Sequence, residues 1–201
     1  MPRSRANTRE RLLAAALDVF AEEGFGRSTV EQVCERAGFT RGAFYSNFDS
    51  LDELFLAMWE QRSQAMLAGI REAVTVAEAG VESESFDLED AAARIVAAIP
   101  VEDRWYRITA EFTAHALRNP DLRSVMAARE ASIQSTILPI VDAALARAGR
   151  RITDSEALGR ALVAVHDGTS VQVLMEPDDR GIARARTALF VHVVRSYSEN
   201  K

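Results

Sequence analysis

The chain has 201 residues, of which 48% are hydrophobic and 27% are charged, with a formal net charge of −6. This balance is typical of a globular protein. It predicts no membrane span, which needs about 20 consecutive apolar residues, and no internal disulfide, because Cys34 is the only cysteine. The acidic total argues against a protein that coats nucleic acid over its whole surface but allows a local basic face. The basic start lacks the apolar block of a signal peptide, so we expect a cytoplasmic protein.

Helical patterns dominate the chain and predict an all-α fold of about nine helices. The first helix is predicted over residues 8–23, where apolar residues recur at helical spacing until Gly24 ends it. A second helix is predicted to begin at Ser28, because the sequence STVE has the pattern of a capping box between Ser28 and Glu31. Gly38 then ends this helix.

A third, short helix is predicted from its cap at Thr40 to residue 47 or 48. Six longer helices follow, at residues 50–77, 88–99, 103–118, 119–148, 153–176 and 181–198. Capping signals mark three of their starts, as SLDE at Ser50, NPD at Asn119 and TDSE at Thr153. The acidic segment 78–89 is predicted to be a loop, and Pro139 predicts a kink in its helix.

The first three helices have the pattern of a helix-turn-helix unit, in which a glycine turn separates two short helices. One face of the last helix packs on its neighbours, and the other enters a DNA major groove. On a helical wheel, Phe44 and Phe48 share the packing face. The other side carries the polar residues Arg41, Tyr45 and Ser46, flanked by Gly42 and Asn47. The small residues Gly42 and Ala43 would let the backbone approach a duplex closely.

The sequence STVEQVCERAGFTRGAFYSNFDSLDELF resembles the helix-turn-helix and the start of the fourth helix in the tetracycline-repressor (TetR) family of transcriptional regulators. The preceding RLLAAALDVFAEEGF is similar to that family's first helix, and RALVAVHDGTSVQVLMEPD is more weakly similar to its eighth. The resemblance implies a DNA-binding domain at residues 1–49 and a helical domain for effector binding and dimerisation at residues 50–201.

The resemblance also implies roles for individual residues. Phosphate contacts fall to Thr29, Thr40 and Tyr45, and base contacts to Arg41, Ala43, Ser46 and Asn47. This agrees with their chemistry, because arginine pairs with guanine and asparagine with adenine. Leu51 departs from the family, which usually has a lysine there, so one phosphate contact is expected to be lost. For Arg41, Tyr45 and Asn47, the alternative is that they form only a solvated helix face.

Arginines 3, 5 and 9 are read either as an arm that lies on DNA or as a frayed tail. Cys34 is read as a small buried hydrophobic residue, with a redox-sensing thiol as the alternative.

Seven residues are candidates for an effector pocket: Met66, Trp105, Phe112, His115, Met126, His166 and Met175. Core packing is the alternative for each, and the two histidines could be hydrogen-bonded structural residues. Glu111 lies four residues before His115, but one such pair does not predict a metal site. The dimer interface is predicted on one apolar stripe of each of the last two helices, Leu162, Val165, Thr169 and Val173 on one and Ala185, Leu189 and Val193 on the other. Gly168 would allow close approach there.

The sequence therefore predicts a ligand-responsive repressor that binds a palindromic operator as a homodimer and is released by a small, largely apolar effector. No metal or cofactor is expected. Three alternatives stay open. An activator would have the same DNA-binding unit, a helical enzyme could retain a vestigial one, and an interaction scaffold could use the paired terminal helices. No set of catalytic residues is visible that would favour the enzyme.

Overall fold

The computed structural model describes residues 2–79 and 87–201. Within them lie nine α-helices, a short 3₁₀ turn and two short strands, which confirms the predicted all-α fold. The helices are α1 (Pro2–Glu23), α2 (Val30–Ala37), α3 (Arg41–Tyr45), α4 (Leu51–Ala79), α5 (Leu88–Ala97), α6 (Asp103–Ala116), α7 (Pro120–Arg147), α8 (Ser155–Met175) and α9 (Arg180–Ser196). The 3₁₀ turn is Phe25–Arg27. Of the predicted loop at 78–89, residues 80–86 lie outside the described part.

Two predicted capping boxes are wrong by one residue. The cap of α2 is Thr29, whose hydroxyl accepts from the Gln32 amide, while the Ser28 hydroxyl donates to the Gly24 carbonyl. The cap of α8 is Asp154, which accepts from the amide of residue 157. At the start of both helices, two neighbouring residues are of types that can cap, and the backbone conformation decides which of them does so.

Other predicted helix ends are confirmed. Thr40 caps α3, Ser50 accepts from the Glu53 amide, and Asn119 accepts from the Asp121 amide just before α7. Gly24 and Gly38 take the positive φ angles of 84° and 70° that glycine tolerates. α1 starts six residues earlier than predicted, α3 ends at Tyr45, and α7 continues through Pro139.

The two strands were not predicted. β1 (Arg150–Ile152) pairs antiparallel with β2 (Ser198–Asn200). The Arg150 guanidinium donates to the Ser198 hydroxyl and carbonyl at 2.9 and 2.6 Å. Strands of three residues are too short for an alternating pattern to be recognised.

The chain divides into two compact units: unit 1 is Met1–Gln64 with Glu102–Arg123, and unit 2 is Ala65–Val101 with Ser124–Lys201. This division differs from the predicted boundary after residue 49, because α6 and the first half of α4 belong with the helix-turn-helix. An aromatic cluster holds them there: the Phe55 and Phe112 rings stack at 3.7 Å, and Phe25 meets Phe112 edge-on at 4.9 Å.

Unit 2 has its own hydrophobic core. Its buried members are Ile70, Val96, Ile99, Leu145, Leu158, Leu162, Phe190 and Val194. Apart from Ile99, which follows α5, they come from α4, α5, α7, α8 and α9, so these helices close around one another. Across the described residues, no helix is long and apolar enough to cross a membrane.

Candidate nucleic-acid interface

The short helix α3 is fixed at both ends by its own sequence. Gly38 adopts the left-handed conformation and turns the chain out of α2, with its amide bonded to carbonyls of the last turn. The Thr40 hydroxyl then accepts from the Ala43 amide at 3.3 Å. Phe44 and Phe48 are buried, as predicted, and their rings lie 5.9 Å apart. These two rings hold α3 against unit 1 and fix which face it exposes.

Two arginines of α1 brace this unit from outside. Arg9 donates to the carbonyl of Asn47 at 3.3 Å, and its guanidinium lies 4.4 Å from the centre of the Phe48 ring. Arg11 does the same one helix earlier, donating to the Ala37 carbonyl at 2.7 Å and stacking over a phenylalanine. Arg9 is therefore a brace of α3 and not part of a free arm. The side chains of residues 3 and 5 lie outside the described part.

Most of the predicted DNA-contacting residues face solvent. Thr29, Thr40, Arg41, Gly42, Tyr45 and Ser46 are exposed, and Ala43 and Asn47 are half-buried. Tyr45 is 48% exposed, which is unusual for a large aromatic side chain in a small helical unit. The Ser46 hydroxyl and the Asn47 amide each donate to a carbonyl of α3 at 2.8 Å. The Asn47 amide still has its second N–H and its oxygen for an adenine edge.

Nothing inside the chain requires a glycine at position 42. A Cβ built there would meet only the Thr40 hydroxyl, at the ordinary contact distance of 3.7 Å. Its φ is not positive, since the three positive-φ glycines lie elsewhere in the described residues. Open space thus faces the first turn of α3 on its solvent side.

Arg41 is the main cation on the exposed face of α3, and it is already paired. Its guanidinium lies 2.7 Å from the carboxylate of Glu31 on α2. The hydrogen bond to Tyr45, and then the charge of Glu31, raise the pKa of Arg41 above its ordinary value. Sequence reasoning missed this pairing of Glu31, because its carboxylate was already assigned to the predicted capping box with Ser28.

The start of α4 carries the Leu51 substitution. Leu51 is half-buried, and the helix is capped by Ser50 and by Glu53, whose carboxylate accepts from the Asp49 amide at 2.6 Å. The Nε2 atom of His115 lies 3.2 Å from the Asp52 carboxylate without forming a hydrogen bond.

The helix α6 is tied to the helix-turn-helix by polar contacts that the sequence did not reveal. The Glu111 carboxylate accepts from the buried Phe25 amide at 2.7 Å, and Arg104 pairs with Asp18 of α1. A Cβ at Gly24 would lie 2.8 Å from Glu111, so the glycine is needed both for its φ and for space. These partners are 86 residues apart in sequence, and helical periodicity does not relate them.

The seven predicted effector residues are divided between the two units. Three belong to unit 1, where Phe112 and Trp105 are in the aromatic cluster of Phe55 and His115 packs against Phe25. Four belong to unit 2. Met66 packs on its core, Met126 is half-buried, His166 contacts Arg186, and Met175 is 76% exposed at the end of α8. The core-packing interpretation is therefore correct for Met66, Trp105 and Phe112.

His166 belongs to a buried polar cluster between α8 and α9. The Arg186 side chain is only 4% exposed, and it bonds His166 Nδ1 at 3.0 Å and the hydroxyls of Thr169 and Ser170 at 2.9 and 3.1 Å. Burial, and then the charge of Arg186, lower the pKa of His166 to about 4. His166 is therefore a neutral structural acceptor, and Nδ1 must be its unprotonated nitrogen to receive the arginine.

The predicted dimer stripe of α8 faces inward. Leu162 and Thr169 are buried inside the chain itself, and Val165 packs against the core of unit 2. Val173 is half-buried, and on α9 so is Val193, which packs on the same core. Only Ala185 and Leu189 of the predicted set are exposed. An amphipathic helix first uses its apolar stripe for its own core, and within one chain the stripe on α8 packs in this way.

Cys34 is buried, as predicted, and burial raises the pKa of its thiol. A shielded thiol of this kind is a poor nucleophile. Among the described side chains, no three His, Cys, Asp or Glu residues are grouped to hold a metal.

The chain is similar to known regulatory proteins along most of its length. Residues 12–58 match the family model "Bacterial regulatory proteins, tetR family", and residues 97–197 match "BetI-type transcriptional repressor, C-terminal". It is 32% identical to the HTH-type transcriptional repressor AcnR of Corynebacterium efficiens over 168 residues, 81% of this chain and 79% of AcnR.

Other matches are shorter or more distant. The chain is 31% identical to the HTH-type transcriptional activator FasR of Mycolicibacterium smegmatis over 70 residues, 35% of this chain and 32% of FasR. Several such curated relatives are matched over only about a third of their length. Among solved structures, the regulator FadR of Bacillus subtilis, in complex with stearoyl-CoA, superposes with a TM-score of 0.65 at 17% identity, covering 92% of this chain and 97% of FadR.

Proposed function

Because the chain belongs to the tetR family of bacterial regulatory proteins, and is therefore a DNA-binding transcriptional regulator and not an enzyme, we propose that it is a ligand-responsive repressor that binds a palindromic operator as a homodimer. The observation that carries this proposal is α3. It buries Phe44 and Phe48 and exposes Arg41 and Tyr45 on a braced backbone. Major-groove recognition needs this combination of a fixed helix and unburied polar side chains.

The proposed roles follow from the side chains. Arg41 reads a guanine edge, and Asn47 reads an adenine edge with its amide oxygen and its second N–H. Tyr45 donates its hydroxyl to a phosphate. Thr29 and Thr40 lie at helix starts, where backbone amides also attract phosphate. At the start of α4, the backbone amides bind phosphate in place of the lysine that the family usually has at position 51.

The test is fluorescence anisotropy with a duplex from the DNA flanking the chain's own gene, compared with a scrambled duplex over several salt concentrations. We expect a preference for the flanking duplex with a steep salt slope. Arg41→Ala should weaken specific binding by about 1–3 kcal/mol. A variant that binds the flanking duplex as tightly as wild type would contradict the role of Arg41 as a base reader. If the wild-type chain binds no duplex at all, the interaction scaffold becomes the better proposal.

A dimer is proposed through the exposed face of α8 and α9, and not through the predicted stripe of α8. This face carries small or apolar residues, Ala164, Gly168 and Met175 on α8 and Ala185 and Leu189 on α9. Two such faces pack as a four-helix bundle. A two-fold dimer would set the recognition helices about 34 Å apart, one turn of DNA.

Sedimentation velocity tests the dimer directly. Leu189→Glu places a charge on the proposed face and should shift the chain toward monomer. Leu117→Glu is the matched control, because Leu117 is also exposed but is the C-cap residue of α6, outside this face. If both variants sediment like wild type, the interface lies elsewhere.

The proposed effector is small and largely apolar. FadR, a fold relative that was solved with stearoyl-CoA, supports only the apolar part of this class, because the stearoyl chain is apolar whereas coenzyme A is large and charged. Release from DNA requires an effector that prefers the non-binding state, by about 10⁴-fold for a nearly complete switch. The same anisotropy assay can screen effectors, since an effector lowers the fraction of the duplex that the protein binds. Fatty acyl compounds come first, and failure of every apolar candidate would count against this ligand class.

A second candidate is an activator, because the relative FasR is a transcriptional activator. In vitro transcription from a template that carries the bound site separates the two. A repressor lowers transcript yield when added, and an activator raises it.

A further inference from the structure

The pair formed by Arg41 and Glu31 has a consequence for sequence discrimination. Nη1 of Arg41 lies 2.7 Å from Oε1 of Glu31, and both side chains are well exposed on the surface that carries α3. The proposed function uses Arg41 and leaves Glu31 without a role. A carboxylate beside a phosphate-binding surface weakens DNA binding in general, so its position on the arginine needs a reason.

We propose that Glu31 is a specificity-determining residue that restrains Arg41 from binding phosphate on any sequence while leaving it able to bind guanine. This inference rests on the proposed function. Arginine has five N–H donors, so one edge of the guanidinium can stay on Glu31 while another meets guanine O6 and N7. A phosphate also accepts hydrogen bonds from arginine, but it carries a full negative charge that the Glu31 carboxylate repels, whereas guanine O6 and N7 are acceptors on a neutral base.

Tyr45 completes the restraint. The centre of its ring lies 5.8 Å from the Arg41 guanidinium carbon, so the arginine is held between a carboxylate on α2 and an aromatic ring on α3. A long side chain that is already oriented loses less rotamer freedom on binding. The fixed orientation of Arg41 favours a DNA site where a guanine fits it. The Glu31 charge, which compensates that of Arg41, weakens binding to every other DNA site.

The substitution that isolates this effect is Glu31→Gln. It keeps the size of the side chain and removes its charge. The matched control is Glu35→Gln, an equal charge change on the same helix at an exposed residue that does not pair with Arg41. Any difference between the two variants therefore reports the ion pair and not the net charge of the protein.

The probe is a duplex enriched by the wild-type chain from a random pool, compared with a scrambled duplex of the same length and composition. We expect Glu31→Gln to bind the scrambled duplex about threefold more tightly than Glu35→Gln, the size expected for releasing one exposed ion pair. Binding to the enriched duplex should change by less than about twofold. In an Arg41→Ala background, the two glutamine variants should become equal.

Equal behaviour of the two glutamine variants on the scrambled duplex would overturn the inference and leave the proposed function intact. The same holds if their difference persists without Arg41. If the wild-type chain enriches no duplex from the pool, the proposed function fails, and this inference fails with it. Unfolding curves of both variants check that α2 remains formed.

Discussion

Replacement of Gly42 by alanine separates folding from DNA recognition. The added methyl group would meet only the Thr40 hydroxyl at 3.7 Å, so the chain has room for it. Alanine favours the helical conformation more than glycine does, and we expect the free energy of unfolding to rise by about 0.5 kcal/mol. If a duplex approaches this backbone closely, the same methyl pushes it away. Loss of one contact would weaken binding by about 1 kcal/mol or more, roughly fivefold.

The assay combines urea unfolding with anisotropy on the duplex that wild type prefers. Gly69→Ala is the matched control, because Gly69 is also helical and its nearest neighbour would also lie at 3.7 Å, the carbonyl of Ala98. It should gain similar stability and bind DNA like wild type. A Gly42→Ala variant that is more stable and binds DNA as tightly as wild type would show that the duplex does not approach this backbone closely. A less stable variant would show that the chain has no room for the added methyl group.

Three further predictions concern the fold. Gly24→Ala should lower the free energy of unfolding by about 2 kcal/mol in urea, because it strains a positive φ and displaces Glu111 from its backbone bond. The pKa of His166 is about 4 in the folded chain and 6.5 ordinarily, so the unfolded chain binds more protons between these values. Stability is full above pH 6.5 and should fall by up to about 3 kcal/mol toward pH 4, and unfolding of His166→Gln should depend less on pH. Iodoacetamide should label Cys34 slowly in the native chain and rapidly in urea, and rapid native labelling would contradict its burial.

Local features were predictable because their causes are local. The caps at Thr40 and Ser50 depend on side chains three residues from the amides they bind. The burial of Phe44 and Phe48 follows from their spacing of one helical turn. Where two neighbouring residues could cap, as at 28 and 29, the sequence did not distinguish them, because the choice depends on how the chain arrives from the preceding turn.

The partners of each helix were not predictable from periodicity. A stripe of apolar residues shows which face is buried and not what covers it. For this reason, α6 was assigned to the second domain, although Glu111 and Phe112 bind it to the first. The buried Arg186 was missed for a related reason, since arginine on a helix is usually solvated. Its shielding depends on hydroxyls from another helix.

The architecture of α3 explains why recognition can change without loss of the fold. A helix of five residues is too short to be stable alone. Its stability comes from the Thr40 cap, the two buried rings and the Arg9 brace, and of these only Thr40 is also proposed to contact DNA. Arg41 and Tyr45 contribute little to that framework. Substitutions at these two positions should therefore alter DNA affinity with small effects on the free energy of unfolding. Phe44→Ala, in contrast, should remove a fully buried ring and disrupt α3 itself, lowering the free energy of unfolding by about 3–5 kcal/mol.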